Sequence, residues 1–322
     1  MLKKAGAVMT NSQSNFVRIL REICEEEGIS VESYGDDWIF GLSKDGSPER
    51  FVFGYQFGLN LASVVALCND KAATYEFLSR KQIPAVEHLC FMTPEELKYV
   101  GKDGCFEEIH QLLQKYGTIV VKDNLGTGGM QVFRVSSKNT LEQTLLHLFT
   151  HTRSVAVSPY LEIAQEFRIV MLDGEPQIMF SKQRDCVVGD GVKSLRVLVG
   201  EAILQGRLDG AGEIRLHGAA GDRVPAVNEV VTTGWKHNLG QGAKPLVADP
   251  EEYPEEVNLA KKAVAALGAR FVSVDLVRTR ENDCRIIEVN AGVMMENLAG
   301  TSDELYERVK EIYRKAVKRM FI

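Results

Sequence analysis

The sequence predicts a mixed α/β protein, of the α+β type, built on antiparallel hairpins. Residues 154–184 form one hairpin pattern, which turns at Asp173-Gly174, and residues 271–290 form a second around a charged turn. Residues 117–135 join two β-branched runs through a glycine-rich loop. With 322 residues, the chain is long enough for two domains, or for one large domain divided into lobes.

Composition narrows the class of protein. The chain is 45% hydrophobic and 25% charged, as soluble globular proteins are. No apolar run approaches 18 residues, and the start, Met1-Leu-Lys-Lys-Ala-Gly, lacks the apolar core of a signal peptide, so we expect a cytoplasmic protein without membrane contact. The net charge of −6 gives no general attraction for polynucleotides, so no nucleic-acid partner is expected. The six cysteines show no C-x-x-C spacing, which argues against a zinc site or a disulfide framework.

The first 65 residues predict a small α/β lobe. Phe16, Ile19, Leu20 and Ile23 recur at helical spacing within residues 13–28. Strand patterns follow at Ser30–Tyr34, Trp38–Phe40 and Arg50–Phe53. The lobe is too short for a full nucleotide-binding unit of its own. A helix at the other end of the chain, residues 302–320, carries apolar residues on one face and basic residues opposite. These basic residues are either solvated or available to an acidic partner.

A helix is predicted after Asn69-Asp70, either of which can cap it, with Ala72 and Leu78 on one face. Lys71 then lies in the first helical turn, where a cation opposes the helix dipole. The position is therefore mildly unfavourable unless an anion lies nearby. The alternative is an ordinary solvated lysine.

The glycine-rich loop follows a β-branched strand that ends at Lys122. Gly126, Gly128 and Gly129 allow backbone N–H groups to approach phosphate oxygens, and the lysine adds a point charge for the same phosphates. The loop joins two strands and lacks the GK[ST] sequence, so it is not a P-loop. The alternative is a common glycine-rich hairpin.

Charged residues also lie inside otherwise apolar strands. Glu166 and Arg168 share one face of a strand, as do Lys182 and Arg184 in the next. Because unpaired buried charge is costly, this pattern predicts a polar cleft.

Three residues with side-chain oxygens lie within the hairpin pattern of residues 271–290. Glu288 and Asn290 point the same way because strand side chains alternate, and a hairpin places Asp275 opposite them. Mg²⁺ prefers a few such oxygens together with the phosphates of a substrate. The pattern therefore predicts a magnesium site beside a bound nucleotide. The alternative is a hairpin whose acidic residues face water.

In this order the motifs resemble the ATP-grasp superfamily of carboxylate–amine ligases, over about residues 65–300. The glutathione synthetase, cyanophycin synthetase and glutamate-adding branch is most similar, and D-alanine:D-alanine ligase is more distant. The resemblance implies an ATP-grasp fold, with a nucleotide held between two mixed or antiparallel sheet lobes. It implies a short lobe at residues 1–65 and an ATP-grasp domain at 66–322, divided into a small lobe with the flap (66–155) and a large lobe with a lid and the magnesium site (156–322).

The resemblance also implies roles for individual residues. The proposed nucleotide contacts are Lys71 and Lys122 on phosphates, the flap residues Gly126, Thr127, Gly128 and Gly129, the backbone of Tyr160 and Leu161 on adenine, and Glu166 on ribose. Asp275, Glu288 and Asn290 would hold Mg²⁺, expected as two ions that Mn²⁺ can replace. The expected catalytic residues are Arg168, Arg184, Lys236 and Asn238, and residues 187–194 would open a lid.

Two segments depart from the family pattern. Many relatives have an acidic residue at the hinge that accepts a hydrogen bond from the adenine amino group, whereas Ser158-Pro159 stands here. After the asparagine of the magnesium site, this chain continues Ala291-Gly-Val-Met-Met-Glu-Asn-Leu298 instead of the family's proline-glycine loop.

The implied reaction is amide formation. A carboxylate attacks the γ-phosphate of ATP, and an amine captures the acyl phosphate with release of ADP and phosphate. The expected partners are small-molecule carboxylates and amines, especially amino acids, and the resemblance is compatible with a homo-oligomer. Two alternatives are a ligase that extends the tail of a protein or peptide and a nucleotide-binding regulator without turnover.

Several residues leave more than one interpretation. His88, His110, His147 and His151 are expected to be structural or superficial, and only His237 lies in a site motif. Met294-Met295 can contact an apolar substrate or fill a core. Residues 186–242 can form a closing lid or a poorly ordered loop.

Overall fold

The computed structural model describes residues 14–101, 104–205, 208, 219–236 and 243–322. The chain divides into two compact units, residues 1–59 with 292–322 and residues 60–291. No helix in the described ranges has both the length and the apolar character needed to cross a bilayer.

The helices, in chain order, are α1 (Asn15–Glu26), α2 (Ala62–Asn69), α3 (Lys71–Arg80), α4 (Pro94–Leu97), α5 (Phe106–Tyr116), α6 (Lys138–Phe149), α7 (Leu195–Leu204), α8 (Ala219–Asp222), α9 (Pro254–Leu267), α10 (Glu296–Ala299) and α11 (Asp303–Met320). The strands are β1 (Ser30–Tyr34), β2 (Ile39–Ser43), β3 (Arg50–Phe53), β4 (Leu89–Met92), β5 (Ile119–Asp123), β6 (Val132–Val135), β7 (Ser154–Pro159), β8 (Ile163–Leu172), β9 (Glu175–Gln183), β10 (Cys186–Val188), β11 (Val230–Thr232), β12 (Lys244–Ala248), β13 (Phe271–Thr279) and β14 (Cys284–Asn290). The mixed α/β class and its antiparallel hairpins are confirmed.

The first unit combines the antiparallel sheet β1-β2-β3 with helices α1, α10 and α11. α1 and α11 pack together through their apolar faces, and the ring of Phe16 lies 5.3 Å from that of Tyr313. Charges add to this contact, because Lys310 donates to Glu22 at 2.8 Å and to Glu26 at 2.7 Å. Lys310 therefore faces α1 and is not a solvated residue.

This packing produces a division of the chain that differs from the one expected. The sequence suggested a boundary at residue 65 and placed residues 292–322 in the large lobe. The structure groups residues 292–322 with the N-terminal unit, and residue 65 lies inside α2. The physical reason is that α11 buries its apolar face against α1, a contact between the two ends of the sequence.

The segment that departs from the family pattern is anchored within the first unit. Glu296 accepts hydrogen bonds from the backbone N–H groups of Asn15 (3.0 Å) and Phe16 (2.9 Å), which the first turn of α1 leaves unpaired. The Tyr313 hydroxyl donates to the Val293 carbonyl at 2.8 Å. Met295 is buried and is a core residue, whereas Met294 is exposed.

The second unit contains two larger antiparallel sheets. One is four-stranded, in the order β4-β7-β5-β6, and packs against α5 and α6. The other is five-stranded, in the order β12-β9-β8-β13-β14, and packs against α2, α3 and α9. A parallel bridge between Ala85 and Ile286 links the segment before β4 to the larger sheet.

Strand alternation gives each of these sheets an apolar and a polar face. In β5, Ile119 and Val121 enter the helix-backed core, so Lys122 lies on the opposite face. In β13, Val274 and Leu276 enter the other core, so Asp275 lies on the opposite face. The charges of the predicted cleft therefore occupy the faces that the helices leave uncovered.

A small subdomain, which we call the lid, extends from β10 to β11 and includes α7 and α8. It has its own apolar core, formed by Val187, Leu195, Leu198, Val199, Ala202 and Leu208. Gly189 lies so close to residues 225–226 that a Cβ atom would meet the Ala226 carbonyl oxygen at 2.1 Å. The described part of residues 186–232 is thus a packed unit and not an irregular loop.

Candidate functional site

The centre of the site is Asp275 on β13, which is 2% exposed. Arg168, opposite it on β8, donates from Nε to Oδ1 and from Nη2 to Oδ2, both at 2.7 Å. Lys182 donates to the same Oδ2 at 2.8 Å. Burial raises the pKa of Asp275, but Arg168 and Lys182 outweigh it and hold the pKa well below its usual range. Asp275 is therefore a buried carboxylate clamped by two cations.

Lys182 connects this clamp to Glu166. Its ammonium group donates to Glu166 Oε1 at 2.6 Å, and the side chain is almost completely buried. Burial lowers the pKa of Lys182, but the carboxylates of Asp275 and then Glu166 raise it above its usual value. The sequence placed Lys182 in the cleft without selecting it as a site residue. The sequence could have identified Lys182, because it lies two residues before Arg184 and therefore on the same face of the strand pattern.

Glu288 and Asn290 lie beside Asp275 on β14. The strand register places Glu288 opposite Asp275 and Asn290 opposite Ser273, and Asn290 Nδ2 donates to Glu288 Oε1 at 3.2 Å. The hairpin thus brings together the three residues assigned to magnesium. Two carboxylates and an amide oxygen are hard ligands that fit Mg²⁺. Among the described residues, no group of three or more His, Cys, Asp or Glu side chains is arranged to hold a metal ion.

Lys122 on β5 is 8% exposed. Among the described residues, its side chain makes no hydrogen bond or ion pair. Burial, with a smaller effect from Lys71, lowers its pKa to about 8, although Glu288, Glu166 and Asp275 act in the opposite direction. A buried lysine without a paired carboxylate is a ready site for a ligand anion.

Lys71 is buried, so it is not the solvated lysine of the alternative interpretation. Its Nζ donates to the backbone carbonyls of Gly126 (2.5 Å) and Asn124 (3.3 Å). Asp70 caps α3, as predicted, by accepting from the Ala73 N–H. Asn124, which the sequence did not single out, accepts from the Ala72 N–H at 3.1 Å. The start of α3 is therefore tied to the base of the glycine-rich loop.

That loop, with Gly126, Thr127, Gly128 and Gly129, connects β5 to β6. Asp123 closes its base by accepting hydrogen bonds from the Leu125 N–H (3.1 Å) and the Thr152 hydroxyl (2.9 Å). A Cβ atom at position 126 would lie 2.9 Å from the Asp123 Cβ, so only glycine fits without rearrangement.

Tyr160 and Leu161 lie between β7 and β8, at the predicted hinge. The Tyr160 N–H donates to the Thr118 carbonyl at 3.1 Å, so it is already engaged and is not a free group for reading a base. The groups left for that purpose are the Tyr160 carbonyl and the Leu161 N–H. The Tyr160 ring is covered by the guanidinium of Arg134 at 3.9 Å and contacts Trp235.

Besides Arg168, which contacts Asp275 directly, the sequence predicts further catalytic residues. Arg184 follows the end of β9 and is partly buried. Lys236 follows the lid, and its Nζ lies 5.7 Å from the centre of the Trp235 ring. Asn238 and His237 lie outside the described residues.

His88 is a further buried polar residue, 2% exposed, that we expected to be structural or superficial. Its Nδ1 lies 2.9 Å from the Val86 carbonyl, and its Nε2 is buried with no hydrogen-bond partner among the described residues. Burial, together with Lys122 and Lys71, lowers the pKa of His88 well below its ordinary value. These effects favour the neutral form of the ring.

The two sheets carry charged residues on their uncovered faces, and the fold has matches among known proteins. Residues 98–195 match the family model described as the ATP-grasp domain of prokaryotic glutathione synthetase. This match and the solved structures below support an ATP-grasp fold, as the resemblance found in the sequence implies. No curated protein matches the sequence.

Two solved structures show the same fold. A bifunctional glutathione synthetase from Pasteurella multocida is 18% identical, with a TM-score of 0.55, and the match covers 94% of this chain and 44% of that one. D-alanine–D-alanine ligase from Bacillus anthracis is 17% identical, with a TM-score of 0.50, and the match covers 79% of this chain and 69% of that one. The chain thus spans less than half the length of the Pasteurella protein.

Proposed function

We propose that this protein is an ATP-dependent carboxylate–amine ligase that acts on small molecules, with amino acids as the expected substrates. The observation that carries the proposal is the buried charge cluster of the second unit. It combines Lys122, which has no ionic partner among the described residues, with a clamped Asp275 and with Glu288 and Asn290 at its edge.

The first step forms a bond between a carboxylate oxygen and the γ-phosphorus of ATP, and the bond to ADP breaks. In the second step an amine attacks the acyl carbon, phosphate leaves, and the amine loses a proton. Neither step needs a nucleophile from the protein. Catalysis then depends on positioning and on neutralising the charge of the phosphoryl group.

The residues of this chain have distinct tasks in that scheme. Lys71 and Lys122 hold phosphate oxygens, and the glycine-rich loop covers them with backbone N–H groups. Lys71 would exchange the Gly126 carbonyl for a phosphate when the nucleotide binds. Glu166 binds the ribose, and the Tyr160 carbonyl and Leu161 N–H contact the base. Arg168 lies beside the transferred group, with Arg184, Lys236 and Asn238 as further contacts.

Asp275, Glu288 and Asn290 would hold Mg²⁺, or Mn²⁺ in its place. Bound there, the metal neutralises phosphate charge. Both carboxylate oxygens of Asp275 are occupied by Arg168 and Lys182, so the residue has to share its charge with these cations. The lid excludes water, which would otherwise hydrolyse the acyl phosphate.

The test is release of ADP and phosphate from ATP and Mg²⁺, measured against a panel of amino acids and dipeptides, singly and in pairs, with product mass read in parallel. Release that requires a pair, with a product lighter than the sum of the pair by one water, supports a small-molecule ligase. ATP binding without turnover across the panel would instead favour a peptide acceptor or a nucleotide-binding regulator.

A further inference from the structure

His88 has a ring nitrogen with no hydrogen-bond donor in the part of the chain that the structure describes. The Val86 carbonyl can only accept a hydrogen bond, so the Nδ1 atom that lies 2.9 Å from it carries the ring proton. In a neutral imidazole the other nitrogen is then an acceptor. Nε2 is that acceptor, and it is buried without a partner among the described residues. A buried acceptor without a donor is destabilising, so the structure leaves a hydrogen bond to be made there.

The strand register places His88 at the hinge. Leu89, the first residue of β4, lies opposite Val157 of β7. His88 immediately precedes β4, and extending the antiparallel register by one residue beyond the strand would bring it opposite Ser158. Val157 belongs to the helix-backed core, and Ser158 lies on the other face of the sheet. Lys122 shares that face, since it pairs with Ala156. His88 therefore stands beside the hinge segment, on the side of the sheet that carries Lys122.

Ser158-Pro159 supplies no carboxylate at the hinge. If the amino group of a purine binds there, another group has to accept its hydrogen bond. The 6-amino group of adenine has two hydrogens, of which one can go to the Tyr160 carbonyl. The second needs another acceptor. Nε2 of His88 is a buried acceptor of the required type beside this segment.

An acceptor at this position fits the hydrogen-bonding groups of adenine better than those of guanine. Adenine presents a donor, the 6-amino group, next to an acceptor, N7, whereas guanine presents two acceptors. His88 Nε2 offers an acceptor, which suits the 6-amino group of adenine. A 6-oxo group would bring its lone pairs against those of Nε2.

We propose that His88 is a specificity-determining residue that accepts a hydrogen bond from the 6-amino group of a bound adenine nucleotide. This inference rests on the proposed nucleotide-binding function and assigns to His88 the role that an acidic hinge residue has in relatives.

The test is a thermodynamic cycle between the side chain and the base. ATP and purine riboside triphosphate, which has hydrogen in place of the 6-amino group, are titrated into the protein by calorimetry with Mg²⁺. His88→Asn keeps a donor for the Val86 carbonyl but cannot reach the Nε2 position, and His88→Gln has a carboxamide oxygen that can. His110→Asn, on α5, is the matched control, and thermal melting shows whether each variant is folded.

The native protein should bind ATP more tightly than the analogue. His88→Asn should reduce the ratio of the two affinities about fivefold to tenfold, as expected for one hydrogen bond. His88→Gln should retain most of the ratio, and His110→Asn should retain all of it. An unchanged ratio in folded His88→Asn, or equal losses for both nucleotides, would overturn the assignment while leaving nucleotide binding intact. Failure of the native protein to bind either nucleotide would overturn the proposed function itself.

Discussion

Arg168 and Asp275 face each other across β8 and β13 and share two hydrogen bonds of 2.7 Å in a buried environment. With Lys182 on the same carboxylate, Asp275 balances two cations. Removing that charge should leave both cations without their main counterion. A buried ion pair broken from one side typically costs about 3–5 kcal/mol.

We therefore expect Asp275→Asn to lower the free energy of unfolding by about 3 kcal/mol, measured by urea denaturation. Asp173→Asn is the matched control. Asp173 pairs with Arg270 at the turn of the same sheet, where both side chains are partly exposed, and its loss should cost under about 1 kcal/mol. Equal effects of the two substitutions would show that the clamp carries no special stability.

Glu288 lies opposite Asp275 and is not part of the cation clamp, so it tests the metal assignment with less effect on folding. Glu288→Ala should remove nearly all ADP release while the melting temperature stays close to that of the native protein. The comparison is made with ATP and a range of Mg²⁺ concentrations, with Glu281→Ala as an exposed control. Undiminished turnover in Glu288→Ala would contradict the metal assignment.

Lys122 should make ATP binding depend on pH. Its pKa is about 8 in the folded chain against an ordinary value of 10.5, so in this window the folded state carries fewer protons than the unfolded state. Its contribution to the stability of the free protein should therefore rise between about pH 8 and pH 10.5, while ATP affinity falls as the ammonium is lost. Lys122→Arg should remove both trends because guanidinium stays charged. Titrations of ATP from pH 6 to pH 10 test this, and an affinity that does not change with pH in the native protein would contradict it.

Asn124 joins the glycine-rich loop to the start of α3 through its bond to the Ala72 N–H. Asn124→Ala should lower the unfolding free energy by about 1–2 kcal/mol. It should also weaken ATP binding, because Lys71 is the first residue of α3 and its position depends on that helix start. Hydrogen exchange at Ala72 gives a direct measure, since that amide should lose protection. Asn124→Asp keeps the acceptor and should preserve protection, and Leu125→Ala, at an exposed neighbour, should change neither property.

The lid can be tested at two glycines. Gly189→Ala would place a methyl group 2.1 Å from the Ala226 carbonyl and should loosen the lid, so that more acyl phosphate is lost to water. The expected result is a lower ratio of amide product to ADP. Gly200, inside α7, has open space around it, and Gly200→Ala should leave the ratio unchanged and stabilise the helix by about 0.5–1 kcal/mol. If both variants keep the native ratio, the lid does not protect an intermediate.

Strand alternation and turn chemistry are local, and they were sufficient for much of this description. The hairpins around Asp173-Gly174 and before Glu288 and the cap at Asp70 could be inferred from neighbouring residues. The ATP-grasp fold was implied by the resemblance of the motifs, taken in order, to that family. The grouping of Asp275, Glu288 and Asn290 also followed, because a hairpin joins two strands that are adjacent in sequence.

Tertiary structure decided the contacts between residues far apart in the chain. Lys182 reaches both Glu166 and Asp275, Asn124 holds the start of α3, and α11 packs on α1. Periodicity shows which face a side chain occupies, but not which side chain from another strand will meet it there. His88 illustrates the difference. The sequence offered only a histidine near a strand, whereas packing placed Nδ1 on the Val86 carbonyl and buried Nε2 with no donor among the described residues.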